Sequence, residues 1–313
     1  MRQQNDSHHT ELPVTACIPS WNRPSEAQQA VQSLVRSGLL AELSAVFLLD
    51  NGSKPPYSAL NTVVERHDRI RIIRTGKNLG AGGGRNRLLD EVQTPFVLFF
   101  DDDCTVQQHS QLAQALELMK QRSSLATITF DIWEQRGAKK ILRTPAKRRM
   151  RERGSTPFTP CFGFIGGCFL ARVDFLRQVG GFPEETLFGG EELAVSHRLR
   201  TAGFTFGRSC HVSVVHHPST DGRLQFREYG PGNLATRCTI ARRNFGFPMN
   251  ISQIAVALAS FVVKSHPNRL RADLRRSVEV ARLLNQRESN RPVNKVRMWN
   301  FRSLALLGLR AWS

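Results

Sequence analysis

Phe96-Val97-Leu98-Phe99-Phe100 runs directly into Asp101-Asp102-Asp103, and this junction decides the reading of the chain. Five apolar residues in a row read as a strand buried on both faces, as in a parallel sheet. Asp is disfavoured in strands and favoured in turns, so the triplet marks where the strand leaves the sheet and brings carboxylates to its edge. Adjacent carboxylates repel. A hard divalent cation such as Mg²⁺ or Mn²⁺ relieves that repulsion and neutralises phosphate groups at the same time. A solvated turn explains the triplet alone equally well, so its surroundings must discriminate.

Upstream, residues 14–18, 43–49, 70–73 and 96–100 read as strands, and residues 25–36, 58–65 and 82–91 as helices. This alternation predicts an α/β, Rossmann-like, mostly parallel sheet flanked by helices, with ligands bound beyond the carboxyl ends of the strands. The polar turns fall at those ends: Pro19-Ser20-Trp21-Asn22-Arg23-Pro24, then Asp50-Asn51-Gly52-Ser53, then the aspartates. Asn78-Leu79-Gly80-Ala81-Gly82-Gly83-Gly84-Arg85-Asn86 opens a helix. Its bare backbone N–H groups and Arg85 suit a diphosphate, and tight helix packing is the alternative.

Downstream, residues 125–130 read as a strand and the basic residues 137–153 as a mobile loop. Residues 164–171 read as a strand whose Gly166-Gly167 pair admits a substrate or another backbone. A short helix over 173–179, a helix over 191–202 stopped by Gly203, and short strands at 204–206 and 211–216 follow. From residue 231 the chain reads as helical, with Leu270, Leu274, Val278 and Ala281 forming one apolar stripe among arginines.

A chain of 313 residues buries a full core as one large domain with an appendage, or as two. Its six cysteines show no CxxC pair or metal-ligand spacing and read as small buried hydrophobes in a reducing compartment. The polar N-terminus lacks an apolar leader core, and the longest apolar stretch, 254–263, is half of the ~20 residues a span requires. A cytoplasmic protein is expected. The net charge of +18 is concentrated in two places: residues 137–153 hold eight Lys or Arg against one acid, and residues 264–313 hold twelve against three. Such patches imply phosphate-rich partners: nucleic acid, anionic lipid headgroups or diphosphate-linked substrates.

The strings VTACIPSWNRP, FLLDNGS, NLGAGGGRN, VLFFDDDC and GGCFLARVDFLRQVGGFPEETLFGGEELAVSHRLRTAGF, in that order, resemble the inverting glycosyltransferases of family 2, which have the GT-A fold. The likeness runs from about residue 13 to residue 244. It implies that Asp50 hydrogen-bonds the pyrimidine of a sugar nucleotide. It further implies that Pro19, Trp21, Asn22, Arg23, Asn78, Gly80, Arg85, Gly166 and Gly167 line the donor site. Asp103 is the implied direct metal ligand. Asp101 is implied to reach the ribose or the metal, and Asp102 shares either role because three aspartates leave the register ambiguous. His216 and His217 are candidates for an imidazole ligand or a diphosphate contact.

Glu191-Glu192 stands where many relatives carry Glu-Asp, which makes Glu192 the implied base toward the acceptor hydroxyl. Glu replaces Asp here, and Ala194 stands where a further acid is frequent. Acids favoured by a helix N-terminus are the plainer explanation for the pair. Trp21, Trp133 and Phe164 are stacking faces for sugars or core residues. Arg242-Arg243-Asn244 resembles bacterial enzymes that build cell-surface polysaccharide.

The resemblance implies transfer, dependent on Mn²⁺ or Mg²⁺, from a nucleoside-diphosphate sugar, UDP- or dTDP-linked before GDP-linked, to a saccharide or lipid-linked acceptor hydroxyl. The apolar 251–263 and the arginine-striped helix after it suit the inner face of an anionic membrane, or an ordinary helical subdomain. The expected division is a disordered 1–12, a GT-A catalytic domain over 13–230 (13–104 nucleotide-binding, 155–230 acceptor) and a helical basic subdomain over 231–313. Rival readings are a peptide or natural-product glycosyltransferase, and a nucleotidyltransferase, which wants a glycine-rich loop with lysine where PSWNRP stands. A nucleic-acid-binding protein would use the basic patches with steep salt dependence and no need of the aspartates; nucleic acid is not the expected partner.

Overall fold

The structure, a computed structural model, describes residues 11–57, 65–108, 110–136, 139–142, 158–184, 190–218 and 226–286. The first half runs β1 (Leu12–Ser20), α1 (Pro24–Arg36), α2 (Leu39–Glu42), β2 (Leu43–Asp50), β3 (Ile70–Arg74), α3 (Gly80–Glu91) and β4 (Phe96–Phe100). Next come β5 (Cys104–Val106), α4 (Leu112–Lys120), β6 (Leu125–Arg136), β7 (Lys139–Leu142), β8 (Phe158–Cys161), β9 (Cys168–Arg172), α5 (Val173–Gln178), α6 (Glu191–Thr201) and β10 (Thr205–His216). Three helices close the described chain: α7 (Phe226–Asn244), α8 (Met249–Lys264) and α9 (Leu270–Gln286).

The strands form one sheet in the order β3-β2-β1-β4-β9-β6-β10-β5, with β7 beside β6 and β8 beside β10. Along that path only β9 and β5 run against the rest, so the expected mostly parallel α/β sheet is present. The strand β4 shows why. Phe96, Leu98 and Phe100 pack into one core layer with Ala27, Ala30 and Leu34 of α1, while Val97 and Phe99 enter the other with Leu88 and Leu89 of α3. Alternate residues of a strand face opposite sides, and both sides are covered. Each such side chain stabilises the fold by about 1.5–3 kcal/mol. Phe99 also stacks on Phe169 at 5.2 Å between centroids and meets Phe182 edge-on at 5.4 Å. Pro19, inside a central strand, lies beyond the last β1–β4 pair, Cys17 with Phe99, where β4 no longer needs its missing N–H.

Several boundaries differ from the sequence expectation. The strand β6 continues past residue 130 through Asp131 and Glu134, and β10 is one strand where two were read. In both, charge masks an element whose partner is distant: Arg208 Nε donates to Asp131 at 2.7 Å, neutralising both. Part of the expected basic loop, Lys139–Leu142, pairs with β6; residues 137–138 and 143–153 lie outside the described residues, as do 58–64 of the expected helix and the first ten residues. The strand read over 164–171 begins only at Cys168, after a turn at Gly166-Gly167. The helix α7 starts before Pro231 and contains it. On α9 the buried side is Ser277 and Leu284, with Leu270 and Leu274 packed beside them, whereas Val278 is 52% exposed. That face repeats every 3.5 residues; it shares Leu270 and Leu274 with the expected stripe and departs from it at Ser277. The helix α4 was not expected, although Leu112, Ala115, Leu116 and Met119 carry a helical period.

Candidate active site

Parallel pairing sets Ser20 beside Asp50, and antiparallel pairing sets Phe100 beside Cys168. The ends of β1, β2 and β4 and the start of β9 therefore share one rim, which the end of β10 joins where His216 pairs with Cys104. The three aspartates leave β4 in a turn, so their carboxylates diverge. Asp101 Oδ1 accepts a hydrogen bond from Arg85 at 2.9 Å. Asp102 Oδ2 accepts from the Ser20 hydroxyl at 2.7 Å, and its Oδ1 from Arg23 at 3.2 Å. Asp103 Oδ2 lies 3.4 Å from the same Arg23 nitrogen and 3.3 Å from His216 Nε2.

Of the two histidines, His216 is the one beside Asp103. His217 donates its backbone N–H to Asp103 O, and its Nε2 sits 2.8 Å from the Thr105 hydroxyl. Successive residues of extended chain point to opposite faces, so the pair cannot share one ion. Among the described residues no three His, Cys, Asp or Glu side chains gather into a metal site. Asp103 and His216 are nonetheless close enough to grip one octahedral cation from adjacent positions, and cations of this class complete their shell with phosphates and water. The donor set fits Mn²⁺ or Mg²⁺.

The acidic pair on α6 sits against this cluster. Arg85 is 4% exposed and Glu191 3%; Arg85 donates to Glu191 Oε1 at 2.5 Å. One guanidinium thus joins Asp101 to the first turn of α6. Glu192 is placed by what is missing opposite it: a Cβ on Gly166 would lie 1.9 Å from Glu192 Oε1. Gly167 is close to Asp101, whose backbone N–H donates to Gly167 O at 3.0 Å. Burial pushes the Glu192 carboxyl up to about 8, with Glu191 adding to the rise and Arg85 opposing it. Burial likewise lifts Asp102 to about 7 and Asp101 to about 6, against the pull of Arg23 and Arg85 respectively. Three carboxyls raised mainly by burial thus lie together on this rim, an arrangement common to functional sites and to buried ion-pair networks.

The remaining sequence candidates order the loops around this rim. Asp50, 2% exposed, accepts the N–H of Ser53 at 3.0 Å and of Tyr57 at 3.1 Å; both its oxygens serve its own turn. Asn78 Oδ1 accepts the N–H of Gly80 at 2.7 Å and the amide of Asn51 at 3.2 Å. Gly80 takes a φ of +78°, which only glycine adopts freely. Gly84 lies so close to Asn51 and Leu49 that a Cβ would crowd both, so the glycine-rich entrance packs α3 tightly against the sheet. Asn22, at φ +53°, accepts the Lys54 N–H at 3.0 Å and ties the first two loops together. Trp21 is 39% exposed at the rim, whereas Phe164 is core, stacked on Phe206.

Two participants were not read from sequence. Ser20 lies inside PSWNRP, and its hydroxyl is oriented by Tyr57 Oη at 2.7 Å. Tyr57 was missed because its hydroxyl reaches Ser20 and the Arg23 N–H, 37 and 34 residues away.

The model of the family described as glycosyl transferase family 2 matches residues 15–180. An uncharacterized protein of Haemophilus influenzae is 27% identical over 94 residues, 29% of this chain and 51% of that protein, so the chain spans about half its length. Among solved structures, GalNAc-T7 with UDP, GalNAc and Mn²⁺ is similar at TM-score 0.63 and 11% identity, over 90% of this chain and 57% of that one. TarS of S. aureus in complex with UDP-GlcNAc gives 0.56 at 13%, over 86% and 82%. A mannosyltransferase of Pyrobaculum calidifontis with GDP-Man and Mn²⁺ gives 0.55 at 15%, over 96% and 80%. At such identities the likeness establishes the fold, GT-A. With more than half of its 313 residues matched by the family model, the chain belongs to glycosyl transferase family 2.

Proposed function

We propose that this chain transfers a glycosyl group from a nucleoside-diphosphate sugar to an acceptor hydroxyl with inversion. One observation carries the reading: Arg85 joins the aspartate rim to the acidic start of α6, so a donor held by one and a hydroxyl deprotonated by the other would meet at one rim. Glu192 is the base, its raised proton affinity suiting removal of a hydroxyl proton near neutrality. Gly166 leaves room for its carboxylate. Asp103 and His216 would hold the divalent cation, which neutralises charge on the departing diphosphate. Arg23 and Asp102 position the donor side. Asp50 would read the nucleobase: each of its oxygens accepts one N–H from the 50–57 loop, and a carboxylate keeps further lone pairs for a pyrimidine N–H. UDP- and dTDP-sugars are the favoured donors, and two of the similar structures hold UDP or UDP-GlcNAc. The acceptor is a saccharide, free or lipid-linked, and the part of the basic subdomain that the structure describes, through residue 286, is helical.

The direct test incubates purified protein and Mn²⁺ with a panel of UDP-, dTDP- and GDP-sugars and measures nucleoside diphosphate release. Release from one nucleotide class is expected; no release and no calorimetric binding of any of them would refute the reading. Chelation of the cation, or Asp103→Asn, is expected to weaken donor binding by more than the about 10–100-fold that loss of a supporting partner costs a metal site. Calorimetry with and without EDTA checks this, and equal affinities would remove the cation from the site.

The pH profile supplies a further prediction. A base works deprotonated, and burial raises Glu192 to about 8. We therefore expect kcat/KM to climb about tenfold per pH unit on the acid side and to level near pH 8. Stopped-time assays across that range check it, and a flat profile below pH 8 would assign the proton to another group.

A further inference from the structure

We infer that the outer face of α8 docks on an anionic lipid bilayer, its axis in the plane of the headgroups. This does not depend on the reaction proposed above; it adds a partner. The helices α8 and α9 pack on α7 through Leu234, Ala257 and Phe261, with Cys238, Leu270 and Leu274 beside them. That contact uses one side of α8. The opposite side carries Ile251 (56% exposed), Leu258 (38%), Val262 (46%) and Val263 (86%), and Phe247 just before it is 78% exposed. Residues 249–263 contain no charge. Together with Val278 and Leu283 of α9, seven of the eleven large exposed hydrophobics among the described residues fall between 247 and 283. Scattered apolar residues on a surface are ordinary, but Ile251, Leu258 and Val262, at helical spacing on one side of α8, form a continuous run that marks an interaction face.

The charge of the segment that follows selects the occupant. Lys264, Arg269, Arg271, Arg275, Arg276 and Arg282 are all exposed, against Asp273 and Glu279 as the only acids in 264–286. A second copy of the chain would bring these cations against their own kind, which disfavours self-association. An uncharged aliphatic stripe in a helical segment otherwise rich in exposed arginines is instead the composition that sinks to the acyl boundary while the cations meet phosphates. Beside the stripe, a cleft between α7 and α8 is lined by Asn233, Leu234, Arg237, Phe261 and Lys264, cationic groups over an apolar floor. The sequence after residue 286 goes on with Arg297, Trp299, Arg302, Arg310 and Trp312, residue types that favour the membrane interface.

The test is sedimentation of the full chain with vesicles of phosphatidylcholine and phosphatidylglycerol, and with vesicles of phosphatidylcholine alone. Binding to the mixed vesicles is expected, and much weaker binding to the neutral ones. The triple variant R275Q/R276Q/R282Q should partition about a hundredfold less. The triple variant I251S/L258S/V262S should lose about tenfold or more, with Tm and nucleoside diphosphate release unchanged in both. The inference is overturned if the wild type stays in the supernatant at low salt, or if the serine variant sediments like the wild type. It is equally overturned if that variant melts lower, because the chain itself then covers the face, or if it converts a dimer to a monomer. Vesicle binding without diphosphate release would sink only the transferase reading; release without binding would sink only this one.

Discussion

Glu192→Gln is expected to slow glycosyl transfer about 10²–10⁴-fold, the span typical of a lost general base, while the protein becomes harder to melt. Gln keeps the shape that fits opposite Gly166 and cannot take a proton. Donor binding, measured by calorimetry, should be unchanged, because Glu192 meets the acceptor side. The stability effect follows from the direction of the pKa shift. In the folded protein Glu192 holds its proton up to about 8, above its ordinary 4.5, so between those values the native state binds more protons than the unfolded one. Stability therefore falls as pH rises through that window. The Gln variant escapes this loss, and its advantage in Tm should be greatest above pH 8. Unchanged turnover would exclude Glu192 as the base. An unchanged Tm above pH 8 would show that ionising it costs the fold nothing.

Arg85→Met should be the most damaging single change to stability, costing about 3–5 kcal/mol. The methionine fills much of the volume but leaves Glu191, 3% exposed, as a buried carboxylate whose cation has gone, and deprives Asp101 of its partner. At this chain length that corresponds to roughly 5–10 °C in Tm. The double variant R85M/E191L removes both charges and should recover a good part of the loss, which separates an orphaned carboxylate from simple misfolding. A drop below about 1 kcal/mol for the single variant would mean that water already reaches the pair.

The rim was legible because it is written locally. Apolar runs ending in Asp101, in Asp50 or in PSWNRP announce strand ends, and parallel strands put those ends on one side. The family strings carried Glu192 and Asp103 to candidate roles. What sequence could not give is direction and distance. Three adjacent aspartates look equivalent in a string, yet the turn sends Asp101 to Arg85, Asp102 to Ser20 and Asp103 to His216. Arg85 and Glu191 are 106 residues apart, so their ion pair is a product of the sheet order. The same holds for Asp131 and Arg208, 77 residues apart, whose mutual neutralisation let two strands run on through polar sequence. Asp50 adds a tie that the string did not show: each of its oxygens accepts an N–H from its own loop.

The empty space at Gly166 also constrains how this pocket can diverge. A methyl group there collides with the end of the Glu192 side chain, yet an acid shorter by one carbon would withdraw from that spot. Positions 166 and 192 are thus coupled: alanine at 166 would push the longer acid aside, and a shorter acid relieves that contact while Arg85 Nη2, at 3.1 Å, still limits the space.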